Sequence, residues 1–343
     1  MDNKTWMKEL VKAGKDKYIY DLYIPGTHNS AIMHSNINAR NMLVAKDFQK
    51  FKPATYIIPD FFKFWTACQN KTILEQLEMG VRYLDFRISY TNNDFYVTHT
   101  FQGPLLTNIL DQIAKFYENN GTTEVIIIRC TSDHENKTTL KGKLMDLEKR
   151  LKEHRVSKYF SATQPAFKKI SEYGDKPLVL LLQDELSIIN LGYKDWYPAK
   201  WYNTSDETIL AEGIQKSLKN LPSTTISVIQ NILTPQVADI IKSLVMYIYF
   251  LVLLIVILIV GLMFGLMHNS YTKWVILSVL VVLILAYTGV IIYLRPSFNI
   301  NWMSSSIKST FLEIKERYNI VIVDYITENF CESIIKKNNQ DKT

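Results

Sequence analysis

Two histidines, an arginine and two carboxylates stand at comparable places in this sequence, each at or near the end of a strand-like run. His28 closes Y-I-Y-D-L-Y-I-P-G-T-H (18–28), in which β-branched and aromatic residues run into Pro25-Gly26. The pattern predicts a strand stopped by a turn, with an imidazole at its exit. His99 closes Phe95-Tyr96-Val97-Thr98-His99 in the same way. Between them 80–90 reads G-V-R-Y-L-D-F-R-I-S-Y, and Asp85 and Arg87, two apart, share one face of a predicted strand. Imidazoles titrate near neutrality and a guanidinium is a permanent charge in a planar fork, so the set suits acid/base chemistry on an anion. Each piece also has a bland reading. Either histidine alone suits a hydrogen-bonded core residue, and Asp85 with Arg87 suits a buried ion pair supporting a sheet.

The elements that would position these residues alternate. Thr72 and Glu75 have the capping-box spacing ahead of the 80–90 strand. Helical segments are predicted over 105–119, 138–153 and 304–318, and strands over 124–129, 178–182, 201–203, 225–233 and 319–326, the last carrying Asp324. Strands alternating with helices predict a parallel sheet. The stretch 30–70 is irregular, with Pro53, Pro59 and the aromatic group Phe61, Phe62, Phe64 and Trp65. It reads as a loop packed on a barrel or as a rim that dips into lipid headgroups. His34, His134 and His154 lack any motif and read as surface residues.

A chain of 343 residues holds one large α/β domain and an appendage. Its net charge of +6 is spread out, without the basic arm of a nucleic-acid binder, and suits an anionic membrane surface. Cys68, Cys130 and Cys331 are odd in number, lack metal-ligand spacing and read as reduced cytosolic thiols. The first fourteen residues lack the apolar core of a secretory signal, which discounts the sequons at Asn70, Asn120, Asn136 and Asn203.

Residues 243–267 and 274–294 contain no charge. At ~1.5 Å per residue they reach roughly 37 and 31 Å, enough for a hydrocarbon core of about 30 Å. The expectation is a transmembrane hairpin dividing the chain into 1–242, the first part of a catalytic domain, 243–294, and 295–343, its last helix and strand plus a tail. Two crossings return Asp324 to the side of His28. Lys242, Arg295, Lys308, Lys315 and Arg317 flank the hairpin while its turn holds only Lys273, so the expected localisation is a two-span membrane protein with a cytoplasmic catalytic domain. A shallow hairpin that does not cross is the alternative.

The ordered set I-P-G-T-H-N-S (24–30), E-Q-L-E-M-G-V-R-Y-L-D-F-R (75–87) and the strand ending at His99 resembles the phosphatidylinositol-specific phospholipase C X-domain family, nearest its bacterial-type and X-domain-only members. The likeness extends more weakly to Thr234-Pro235 and to N-I-V-I-V-D-Y-I (319–326). It implies an α/β fold, an irregular TIM-type barrel with its site at the carboxyl ends of the strands, here interrupted by the hairpin. It also implies cleavage of a membrane phosphoinositide between phosphate and diacylglycerol. His28 would be the base, His99 the acid, Asp324 the partner of His28, and Arg87 the phosphate ligand; Asp85 would take part directly or only as Arg87's support. Asn29 replaces an aspartate common in relatives, which keeps the hydrogen bond and loses the charge, to the cost of activity or of hydrolysis of the cyclic intermediate. Asp133 and Gln183 follow strands where relatives contact inositol. No cofactor or metal is expected, because the fixed cation Arg87 occupies the place where calcium-using relatives gather acidic ligands. The rival readings are an inactive inositol-lipid binder and a metal-dependent phosphodiesterase on the same barrel.

Overall fold

Apolar runs with few charges become strands buried on both faces, as a parallel sheet covered by helices requires. The computed structural model describes residues 2–42, 52–132, 137–161, 168–183, 186–187, 189, 200–219, 226–266, scattered positions over 274–284, 312–314 and 317–339. The strands are β1 (Ile24–Thr27), β2 (Asn38–Met42), β3 (Tyr83–Thr91), β4 (Asp94–His99), β5 (Phe101–Leu105), β6 (Ile126–Ser132), β7 (Leu178–Leu182), β8 (Val228–Gln230) and β9 (Ile320–Val323). The helices are α1 (Trp6–Lys12), α2 (Lys52–Ile57), α3 (Pro59–Thr66), α4 (Ile73–Glu78), α5 (Leu106–Asn120), α6 (Lys137–Lys141), α7 (Leu144–Glu153), α8 (Glu207–Leu218), α9 (Val237–Leu266) and α10 (Glu328–Lys336).

Six strands run parallel in the order β7-β6-β3-β1-β9-β8, so their carboxyl ends lie on one side. The far half of β3 turns back through Asn92 and Asn93, both at positive φ, into the antiparallel ladder β3-β4-β5-β2. Register does the positioning: Thr27 of β1 pairs with Val323 of β9 and with Leu84 of β3, so His28 and Asp324 leave adjacent strands at one level. Gly26 permits that packing. A Cβ there would stand 2.8 Å from Ile322 Cγ2 and 3.0 Å from Tyr83 Cβ, closer than packed carbons tolerate.

Several local expectations shift. The run before Pro25 is a 3-10 turn (Ile19–Asp21), and the strand is the I-P-G-T segment itself. Pro25 is tolerated there because its carbonyl still accepts from Arg82 N at 3.0 Å. Over 138–153 two helices replace one, parted around Gly142, and 201–203 is not a strand. The irregular stretch holds α2 and α3; Phe61, Phe62 and Trp65 of α3 are buried and pack inward, while Tyr56 and Ile57 of α2 are exposed. In 304–318 the described positions, 312–314 and 317–318, are not helical, and the rest lies outside the described residues.

The chain divides into two compact units, Met1–Thr234 with Lys308–Thr343, and Pro235–Ile307. The second unit contains α9, which exposes Val245, Ile248, Leu258 and Leu262. Here the membrane expectation is overturned: among the described residues no helix is long and apolar enough to cross a membrane. Over 274–294, the expected second span, only scattered helical positions up to 284 are described. The transmembrane hairpin, the bilayer contact through 243–294, the two-span localisation and the cytoplasmic placement inferred from flanking charge are therefore not upheld.

Candidate active site

The parallel register brings His28 and Asp324 together from opposite ends of the sequence. His28 Nδ1 lies 2.9 Å from Asp324 Oδ1, with both residues buried. Gln69 locks the two strand exits: its Nε2 donates to the carbonyls of His28 and Val323, each at 3.0 Å, and its Oε1 accepts from Ile326 N at 3.2 Å. With a carboxylate accepting from Nδ1–H, proton gain and loss at His28 fall to Nε2. Burial alone would lower the imidazole's pKa, but the Asp324 charge and hydrogen bond, with help from Cys68, outweigh it and raise it to about 10.

His99 faces His28, with ring centroids 6.1 Å apart and planes 71° from parallel. Its Nδ1 donates to the Thr66 carbonyl at 3.1 Å, which assigns that nitrogen the proton in the neutral ring and leaves Nε2 to exchange one. Thr66 ends α3, so the second imidazole is oriented by the segment that looked like a loop in the sequence. Cys68 stands between the two rings. Its Sγ is 3.6 Å from His99 Nδ1 and 3.5 Å from Asn29 Nδ2, which is itself 2.9 Å from His28 Nε2. Asn29 adopts φ 41°, a left-handed conformation that asparagine tolerates better than most residues.

Asp85 is buried in β3, but its partner is not Arg87. Arg129, directly opposite on β6, donates from NH1 to Asp85 Oδ1 at 2.6 Å and from Nε to Gln183 Oε1 at 3.0 Å. Burial would raise the Asp85 carboxyl, but the charges of Arg129, His28 and Arg87 prevail and hold it below the usual carboxylate range. Ser30 and Asp85 clamp β1 to β3, with Asp85 N donating to Ser30 Oγ at 2.7 Å and Ser30 N to the Asp85 carbonyl at 2.9 Å. The Arg87 guanidinium is half-buried and has no hydrogen bond or ion pair among the described residues. The structure thus gathers His28, Asn29, Asp85, His99 and Asp324, and links Gln183 to them through Arg129. Asp133 lies outside the described residues.

Four contributors escape the sequence reading: Arg129, Cys68, Gln69 and Thr66. Arg129 carried a signal, a lone cation closing the apolar run Val125-Ile126-Ile127-Ile128. The other three sit in no pattern and acquire their roles only through contacts.

No protein-family model matches the chain. A PI-PLC X-box domain-containing protein of Dictyostelium discoideum is 26% identical over 145 residues, 41% of this chain. The chain spans only 19% of that protein's length. PI-PLC X domain-containing protein 3 of Danio rerio is 24% identical over 247 residues, 69% of this chain and 76% of that protein. Among solved structures, phosphatidylinositol-specific phospholipase C of Staphylococcus aureus superposes with a TM-score of 0.55 at 16% identity, covering 99% of this chain and 98% of that one. The α/β fold is therefore similar to the barrels of those phospholipases, and the X-domain resemblance is supported by curated relatives as well as by motif.

Proposed function

We propose that the chain is a phosphatidylinositol-cleaving phosphodiesterase of the phospholipase C type. The observation that carries this reading is the pair of facing imidazoles, each with Nδ1 committed to a fixed acceptor, Asp324 in one case and the Thr66 carbonyl in the other. In the proposed reaction the inositol 2-hydroxyl gives its proton to His28 Nε2 and its oxygen attacks phosphorus. His99, protonated, delivers a proton to the glycerol oxygen as the bond from phosphorus to that oxygen breaks. Diacylglycerol and inositol 1,2-cyclic phosphate result. Arg87 binds the phosphate, Asp324 stabilises the imidazolium formed on His28, and Asp85 positions Arg129 and, through it, Gln183 beside the headgroup. Asn29 donates to the same Nε2 that must receive the proton, so it yields to the substrate hydroxyl as this binds. The proposed mechanism uses no metal ion.

The test is release of cyclic inositol phosphate from phosphatidylinositol vesicles in the presence of a chelator, comparing the native chain with His28→Ala and His99→Ala. Release by the native chain alone supports the reading; release that requires added calcium would sink the metal-free mechanism. One observation favours a second reading. With a pKa of about 10, His28 rests as an imidazolium near neutrality, so with Arg87 and Arg129 the pocket suits binding an inositol phosphate without cleaving it. Headgroup binding with no release at any pH up to about 10 would decide for that reading.

A further inference from the structure

Cys68 has no part in the proposed reaction, yet it is buried at the centre of the site. One donor atom from each of His28, Cys68 and Asp324 lies within 4.8 Å of the others. Asn29, fully buried, adds a second observation: its Nδ2 stands 2.9 Å from His28 Nε2, to which it donates when the ring is neutral, and donates to Cys68 Sγ at 3.5 Å, while its Oδ1 has no hydrogen-bond partner among the described residues. The amide nitrogen thus marks a point on which a nitrogen and a sulfur lone pair converge, and the amide oxygen is left unsatisfied beside it. A half-turn of the carboxamide would exchange the two atoms and present the oxygen to whatever occupied that point.

We propose that His28 Nε2, Cys68 Sγ and the carboxamide oxygen of Asn29, with Asp324 holding His28 Nδ1–H from behind, form a binding site for a thiophilic divalent cation of the zinc class, and that an ion held there blocks the acid/base pair. A mixed nitrogen, sulfur and oxygen set suits an ion that takes four ligands at about 2.0–2.3 Å. Calcium and magnesium prefer six or more oxygens and disfavour a thiolate, so the donor chemistry selects against them. On binding, the sulfur–metal bond replaces the S–H bond and the nitrogen–metal bond replaces the Nε2–H bond of the His28 imidazolium, and both protons pass to solvent without change of oxidation state. The ion claims the His28 Nε2 lone pair that proton transfer needs, and so acts as an inhibitor, not a cofactor. Cys130 and Cys331 do not compete, since each is buried elsewhere and burial pushes both thiols up to about 12. Binding stands on geometry alone; inhibition rests on the phosphodiesterase reading.

The experiment adds Co²⁺ to the chelator-stripped full chain and records the near-ultraviolet thiolate-to-cobalt absorption. One ion per chain, displaced by Zn²⁺, is expected from the native protein and from Cys331→Ser. In Cys68→Ser the band disappears, and in Asn29→Ala affinity falls roughly 10- to 100-fold. A native chain without the band, or a band surviving in Cys68→Ser, overturns the site. If Cys68→Ser does not fold, as judged by circular dichroism, Asn29→Ala decides by the same readout. Turnover that continues at saturating Zn²⁺ overturns the inhibition. Cobalt binding by a chain with no turnover in metal-free buffer supports the site and counts against the phosphodiesterase reading alone.

Discussion

Strands β3 and β6 carry two acid–arginine pairs, one just before the strands and one within them, and the pairs behave differently. Ahead of the strands, Arg82 and Glu124 are both fully buried, with Arg82 NH2 2.8 Å from Glu124 Oε2. Arg82 also donates to the carbonyls of Leu77, Val81 and Lys4, and Glu124 accepts from Lys8 N, so the pair ties the N-terminal helix to the sheet. Three residues on from Arg82, Asp85 is equally buried, but the Arg129 side chain is 22% exposed and shared with Gln183. Both pairs have the same chemistry. A pair saturated by backbone carbonyls serves the fold, whereas one whose cation reaches solvent beside two histidines is placed to serve a ligand.

The largest expected effect that separates the two ends belongs to the imidazoles. His28→Ala and His99→Ala should each lower release of cyclic inositol phosphate roughly 10²- to 10⁴-fold, with the melting temperature of His99→Ala nearly unchanged. Glu124→Ala should do the reverse, costing about 3–5 kcal/mol in urea unfolding because it strands the buried Arg82, while each folded molecule stays active. Asp85→Ala should cost less stability, since Arg129 can turn to water, and should lower activity. If Glu124→Ala abolished turnover without destabilising the chain, the division of labour would be wrong.

Titration sharpens the same contrast. A base with its pKa raised to about 10 is mostly protonated at neutrality, so kcat/KM of the free protein should climb with pH towards about 10. Asp324→Asn should move that limb to lower pH, because the charge that holds the proton is gone. The stability linkage has the sign of a raised pKa. The His28–Asp324 contribution is fully present below the unfolded value near 6.5 and is lost as pH rises through about 10. Denaturant unfolding across that interval, native against Asp324→Asn, measures it. The smallest effect is Thr72→Ala, which removes the side-chain acceptor for Glu75 N at the start of α4 and should cost about 1 kcal/mol with activity unchanged.

Much of this site was legible before any coordinates. His28 and His99 follow or end strands as expected, Thr72 and Glu75 form the predicted capping box, and Asp324 follows the last described strand. These features are local, encoded within a few residues. What was not legible is the pairing across strands. Asp85 and Arg87 share a face, yet the cation that satisfies Asp85 comes from β6, because the parallel register sets Arg129 directly opposite. Cys68 and Gln69 have no periodicity to report them, since they act from a segment between helices whose course depends on the strands it covers. The apolar stretch 243–294 marks the opposite failure: hydropathy registers composition, whereas among the described residues no helix is long and apolar enough to cross a membrane.

The sequence by itself determined the residue types, their order and the short motifs that place an imidazole or a carboxylate near a strand's carboxyl end, because turns, caps and alternation are matters of neighbouring residues. Only the tertiary structure decided which of those ends meet. His28 and Asp324 are 296 positions apart and become partners at 2.9 Å because β1 and β9 lie side by side in register, a contact whose free energy is shared by the whole sheet.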